Sequence, residues 1–225
     1  MATDKSEPEA VKRLGLFGGT FNPIHYGHLR SAEEVCEALG LTRLWFIPAG
    51  EPPHKAGQGI TSFAVRLEMT RLAVGEHPIM EVSDLEGRRP GRSYSIETLR
   101  QMRREMGEAW ELYFIVGLDA ALEIATWKDY QELFTLSHFV VLDRPGYDHR
   151  RLEEILLNEV QPRFRPLEAE RGFQHPSGHK VTFQATTLLD ISGTAIRNLV
   201  RQGRSVRYLL PEPVRRYIFK NKLYI

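Results

Sequence analysis

The stretch from Gly15 to His28 constrains this chain more than any other. The apolar run 14–17 at its start reads as a buried strand. Gly18, Gly19 and Thr20 then turn the chain, and 29–39 carries helical periodicity. A strand that passes through small residues into a helix presents unpaired backbone N–H groups at the helix start. The helix dipole favours an anion at that place. His25 and His28, three residues apart, add donors that can carry positive charge there.

The turn is neither of the common nucleotide loops. A dinucleotide fingerprint needs Gly-x-Gly-x-x-Gly and an acidic residue after the second strand. Gly15, Gly18 and Gly19 have the wrong spacing, and Ile47-Pro48-Ala49 closes the second strand without Asp or Glu. No Gly-Lys-Ser/Thr follows, so it is not a Walker loop. A spacing of three at a helix start puts both imidazoles on one side. That arrangement suits adjacent phosphate oxygens. The rivals are a zinc pair, which prefers a spacing of four and here has no third ligand nearby, and one capping with one packed histidine.

The rest of the chain alternates in the same way. Helix one runs from His25 or Gly27 to Leu39 and stops at Gly40. Residues 44–47 form the next strand, closed by Pro48, so a βαβ unit with parallel pairing is expected. The loop 49–59 carries His54 and Lys55. Residues 63–76 read as helix, 80–83 as strand, 86–92 as loop and 95–106 as an amphipathic helix. Strand 111–116 leads into Gly117-Leu118-Asp119. Short helices at 119–123 and 130–136 flank Trp127 and Lys128, and strand 138–142 follows. Residues 147–178 are broken by Pro162, Pro166 and Pro176 and are the least readable. A strand at 181–186 and helices at 192–202 and 211–221 complete the chain. This order predicts an α/β fold, doubly wound on a mostly parallel sheet. In that class ligands sit beyond the carboxyl ends of the strands. The unusual loops 18–28, 48–55, 117–119 and 190–197 all follow expected strands.

With 225 residues, one domain over 13–225 behind a flexible tail at 1–12 is expected. Lys and Arg total 30 against 29 Asp and Glu, a net charge of +1, which speaks against a polyanion partner such as nucleic acid. The basic stretch 201–222 reads as a solvated helix face. Cys36 is the one cysteine, so no disulfide can form within the chain, and it reads as a packed thiol. No membrane span and no secretory leader are evident, and a cytoplasmic location is expected.

Other residues carry weaker signals. Ser192 is placed as an N-cap with Arg197 about a turn further on, a phosphate fork or an ordinary capped helix. Pro52-Pro53-His54-Lys55 is a stiff loop with two cations, or an exposed turn. Trp127 is a stacking platform or a core residue.

Taken together, these residues resemble a known family. Gly18-Gly19-Thr20-Phe21-Asn22-Pro23-Ile24-His25-Tyr26-Gly27-His28 resembles the first signature of the nucleotidyltransferase superfamily, and Ile191-Ser192-Gly193-Thr194-Ala195-Ile196-Arg197 resembles the second. Within it the chain is most similar to bacterial nicotinate-nucleotide adenylyltransferases. The marks are Pro52-Pro53-His54-Lys55, Ser93-Tyr94-Ser95-Ile96-Glu97-Thr98-Leu99, Gly117-Leu118-Asp119, Thr126-Trp127-Lys128 and Leu209-Leu210-Pro211-Glu212-Pro213-Val214. Asn22 stands where this family usually has aspartate, and Gly193 where Ser or Ala is usual.

The resemblance implies a Rossmann-like nucleotidyltransferase fold and adenylyl transfer from ATP to nicotinate mononucleotide, giving deamido-NAD and pyrophosphate. It implies phosphate contacts for His25, His28 and Arg197. Gly18, Gly19, Thr20, Phe21, Lys55, Gly117, Asp119, Ile191 and Ser192 would bind ATP. His54, Ser95, Trp127 and Lys128 would bind the mononucleotide. Mg²⁺ would come with the ATP phosphates, with no protein metal ligand, and a homo-oligomer is possible. Alternatives are a relative acting on nicotinamide mononucleotide or phosphopantetheine, or a silent nucleotide-binding protein.

Overall fold

A computed structural model describes residues 11–52, 59–143 and 148–225. Its eight-stranded sheet has the order β3-β2-β1-β4-β5-β8-β7-β6. The strands are β1 (Lys12–Gly19), β2 (Arg43–Pro48), β3 (Met80–Val82), β4 (Trp110–Gly117), β5 (His138–Leu142), β6 (Arg165–Pro166), β7 (Gly172–Gln174) and β8 (Lys180–Gln184). Pairing is parallel from β3 through β8, and β7 and β6 add an antiparallel edge.

Alternation along the central strands builds two cores, one on each face. Leu14 and Leu16 of β1, Leu112, Phe114 and Val116 of β4, and Phe139 and Val141 of β5 face one side. Phe17, Ile115, Val140 and Leu142 face the other. Helices cover both faces: α1 (Tyr26–Leu39), α2 (Phe63–Val74), α3 (Leu85–Arg88), α4 (Ser95–Met106), α5 (Leu118–Ala121), α6 (Tyr130–Leu136), α7 (His149–Ile155), α8 (Gly193–Arg201) and α9 (Glu212–Lys220). Gly40 ends α1 with φ 56°, a left-handed position that favours glycine. The strand order reverses between β1 and β4, so their carboxyl ends open the crevice where such sheets hold ligands.

Three expectations change. β1 begins at Lys12, inside the stretch expected as tail, because Lys12 pairs with Trp110 and the Arg13 N–H donates to Thr42 Oγ1 at 2.7 Å. Residues 86–88, part of the stretch 86–92 expected as loop, fall in α3. The Asp84 carbonyl accepts from the Gly87 and Arg88 N–H groups, and Leu85 and Glu86 are buried. The unreadable segment becomes α7, a wider helical turn at Leu156–Val160, and the β6–β7 edge of the sheet.

Cys36 is buried, and that burial pushes its thiol up to about 12, as a packed thiol requires. No helix among the described residues is long and apolar enough to cross a membrane.

Candidate active site

The carboxyl ends of β1, β2 and β4 open into a cleft of about 580 Å³. Gly18, Gly19, Thr20 and Phe21 line one side with His28. Gly117 and Asp119 line another, and Ser95 and Trp127 stand on the far wall. The structure brings these residues to one space.

The turn after β1 is held by aromatic packing. A side chain on Gly19 would place its Cβ 2.7 Å from Cε1 and Cζ of Phe21. Phe21 takes a left-handed backbone (φ 46°) and buries its ring among Phe17, Phe46 and His28, with centroids 6.0, 5.7 and 5.1 Å away. The turn's carbonyls face inward: Gly19 O accepts from the Ala49 N–H at 2.8 Å.

The two imidazoles lie on one side of the helix start, as the spacing predicts, and they stack with centroids 3.7 Å apart. Their surroundings differ. His25 is 3% exposed and is the N-cap residue of α1, while His28 lines the cleft. The His25 backbone N–H donates to His28 Nδ1 at 3.3 Å. That bond makes Nδ1 an acceptor, so the neutral ring carries its proton on Nε2. His28 also lines a narrow groove formed with Asp143, Thr186 and Leu189, and so stands where two spaces meet.

The second signature approaches the first turn from α8. Ser192 caps this helix, its Oγ accepting from the Ala195 N–H at 3.1 Å. Arg197 Nη1 donates to the Asn22 carbonyl at 2.7 Å, and Nη2 to Thr194 Oγ1 at 3.2 Å. A Cβ at Gly193 would lie 2.9 Å from that same Asn22 carbonyl. The two positions that depart from the family pattern therefore touch. Ile191 is partly buried against the second core rather than in the cleft.

Lys128 is not brought into the cleft. Its Nζ lies 2.8 Å from Glu97 and over the Tyr94 ring at 5.1 Å. Trp127 meets Phe114 edge-on with centroids 6.3 Å apart and lines the wall, so it is both packed and presented. His54 and Lys55 lie outside the described residues.

Arg66 and Glu86 carry no local sequence signal. Arg66 is 1% exposed and bridges the loops after β1 and β2. Its Nη1 donates to Thr20 O at 2.8 Å, Nη2 to Ala49 O at 2.6 Å and Gly50 O at 3.0 Å, and Nε to Thr61 O at 3.0 Å. Burial works against its charge, and the carbonyl dipoles offset that cost. Glu86 lines the wall near Ser95. Burial pushes its carboxyl up, while the Thr98 hydroxyl donates to it at 2.6 Å. Ser93 Oγ accepts from the Gly50 and Glu51 N–H groups, tying the loop after β2 to the start of α4.

Comparison with known proteins places this arrangement. Residues 16–199 match the model of the cytidylyltransferase-like family. Over 213 residues the chain is 49% identical to a probable nicotinate-nucleotide adenylyltransferase of Geobacter metallireducens, covering 94% of this chain and 98% of that one. It is 49% identical over 212 residues to a protein of the same description from Geotalea daltonii, with the same coverage. Among solved structures, Plasmodium falciparum nicotinic acid mononucleotide adenylyltransferase complexed with NaAD superposes with a TM-score of 0.72. That match has 19% identity over 95% of this chain and 97% of the other.

Proposed function

The chain belongs to the cytidylyltransferase-like family, and on that premise we infer that it transfers the adenylyl group of ATP to nicotinate mononucleotide. The products are deamido-NAD and pyrophosphate, so the reaction serves NAD biosynthesis. The structural observation that carries this reading is the place of His28, on the walls of both the cleft and the groove.

A phosphate oxygen of the mononucleotide attacks the α-phosphorus of ATP. The bond from that phosphorus to the bridging oxygen breaks, and pyrophosphate leaves with the electron pair. The residue set supports alignment and charge stabilisation rather than a covalent intermediate. His28 Nε2–H would donate to the reacting phosphoryl group. His25, buried beneath it, would orient that ring through stacking and its backbone N–H. Gly18, Gly19, Thr20 and Phe21 would receive phosphate on backbone N–H groups, and Ser192 and Arg197 would hold the departing phosphates. Asp119 would accept from a ribose hydroxyl. Trp127 would stack on the pyridine ring, with Ser95 and nearby N–H groups meeting its carboxylate. An amide there would present donors to donors.

Among the described residues no group of three or more His, Cys, Asp or Glu is placed to hold a metal. Mg²⁺ would come with the ATP phosphates and water and would neutralise their charge. The test is pyrophosphate release with each acceptor in turn. Nicotinate mononucleotide should be used far faster than nicotinamide mononucleotide or phosphopantetheine. Equal rates with the two pyridine mononucleotides would overturn the acid-specific reading.

A further inference from the structure

Asn22 sits between three distant parts of the chain and is 7% exposed. Its carbonyl accepts from Arg197 of α8. Its side-chain Oδ1 accepts from Thr61 Oγ1 at 2.8 Å and from the Tyr224 hydroxyl at 2.9 Å. Two hydroxyl donors use both lone pairs of an amide oxygen, so the side chain is held from two sides. Thr61 lies just before α2, and Tyr224 lies in the segment after α9.

That segment is bent to deliver the hydroxyl. Lys222 and Tyr224 adopt left-handed backbones, with φ 50° and 64°, although neither is glycine. Such residues persist where surrounding contacts over-determine them. Here Leu223 N–H donates to Ile218 O at 3.0 Å, and Leu223 and Tyr224 pack on the second core. Burial pushes the phenol up to about 12, so it stays a donor at neutral pH.

We propose that Tyr224 is a positioning residue for adenylyl transfer: its hydroxyl, together with Thr61, fixes Asn22 and so sets the phosphate turn against Arg197. The proposal rests on the function inferred above, since it takes ATP as the ligand of that turn. It assigns Tyr224 no contact with substrate. Its effect passes through Asn22 to the two groups that meet there, the turn's backbone and the guanidinium.

The test uses the full chain with Tyr224→Phe, which keeps the ring and its packing, and Thr61→Val, which removes the other donor at similar size. Each single variant should weaken ATP binding about fivefold, on the scale of one net hydrogen bond. Affinity for nicotinate mononucleotide should stay within about twofold, and the melting temperature should fall by no more than about 4 °C, the scale of one net hydrogen bond in a chain of this size. The double variant should lose more ATP affinity than the product of the single effects, since Asn22 then has no side-chain anchor. ATP affinity unchanged in all three variants would overturn the proposal. So would equal losses for both substrates, which would show a general packing role. Calorimetry reads ATP affinity without turnover. A wild type that binds ATP but releases no pyrophosphate with the mononucleotide would therefore sink the functional reading while leaving the role of Tyr224 testable.

Discussion

Arg66→Lys isolates what a buried fork does for this site. The arginine spreads three nitrogen donors over four carbonyls, those of Thr61, Thr20, Ala49 and Gly50. Lysine keeps the charge but offers it from one point, which reaches about two of those carbonyls. Hydrogen bonds to charged groups contribute ~1.5–3 kcal/mol each, so losing two costs roughly 3–6 kcal/mol. Thr20, Ala49 and Gly50 are only half-buried, so water recovers part of that. The net cost is then about 2–4 kcal/mol, which lowers the melting temperature by roughly 4–16 °C for a chain of this size. Thermal unfolding followed by circular dichroism reads the first effect. Pyrophosphate release well below the transition reads the second, which should fall because two loops of the cleft lose their common tie. A variant melting within about 2 °C of wild type, with unchanged turnover, would show that water serves those carbonyls as well as the guanidinium does.

Other expectations follow from the same geometry. His28→Ala should cut turnover ~100-fold or more, on the scale of one preorganised electrostatic donor, and near-normal pyrophosphate release would remove the role given to it. Gly19→Ala should destabilise by ~1–3 kcal/mol in a urea titration, because the Phe21 ring it strikes is hemmed in by three others. His138 gives a pH dependence. Burial lowers its folded pKa to about 4 from 6.5, so the unfolded chain takes the proton first. Its contribution is complete above pH 6.5, is lost as pH falls from there to 4, and is flat below. The loss is on the order of 2 kcal/mol after allowing for partial exposure. Urea midpoints against pH should show this step in wild type and a smaller one in His138→Gln; equal steps would refute the assignment.

Much of the fold is written in local pattern. The apolar runs mark the parallel strands because both faces of that sheet are covered, and Gly40 and Ser192 mark helix ends by their backbone and capping chemistry. The edge formed by β6 and β7 is not legible, since strands of two and three residues carry no period and one includes Pro166. In the site, the histidine spacing foretells two rings on one side of the helix start, and a capping, packed histidine such as His25 is among the readings the sequence leaves open. Arg66 falls within the expected helix 63–76 with no mark of its own, because its partners are carbonyls, which no side-chain pattern encodes. Tyr224 and Asn22 are 202 positions apart, and only the folded chain joins them. Lys128 looks like a ligand beside Trp127, yet Glu97 and the Tyr94 ring hold it elsewhere.

Each peptide unit places its N–H and C=O on opposite sides. A turn that offers N–H groups to a phosphate must therefore turn carbonyls toward the protein, and these need donors there. The sites of the two guanidinium contacts follow from this. Arg66 takes the inward carbonyls of Thr20, Ala49 and Gly50, and Arg197 takes that of Asn22. On the proposed function, the same cations would place positive charge behind the surface that receives ATP, at the start of α1 where the helix dipole favours an anion. Arg197 would then serve both sides of the turn: anchored to the Asn22 carbonyl, its guanidinium would be oriented before a phosphate arrives, as catalysis by alignment favours.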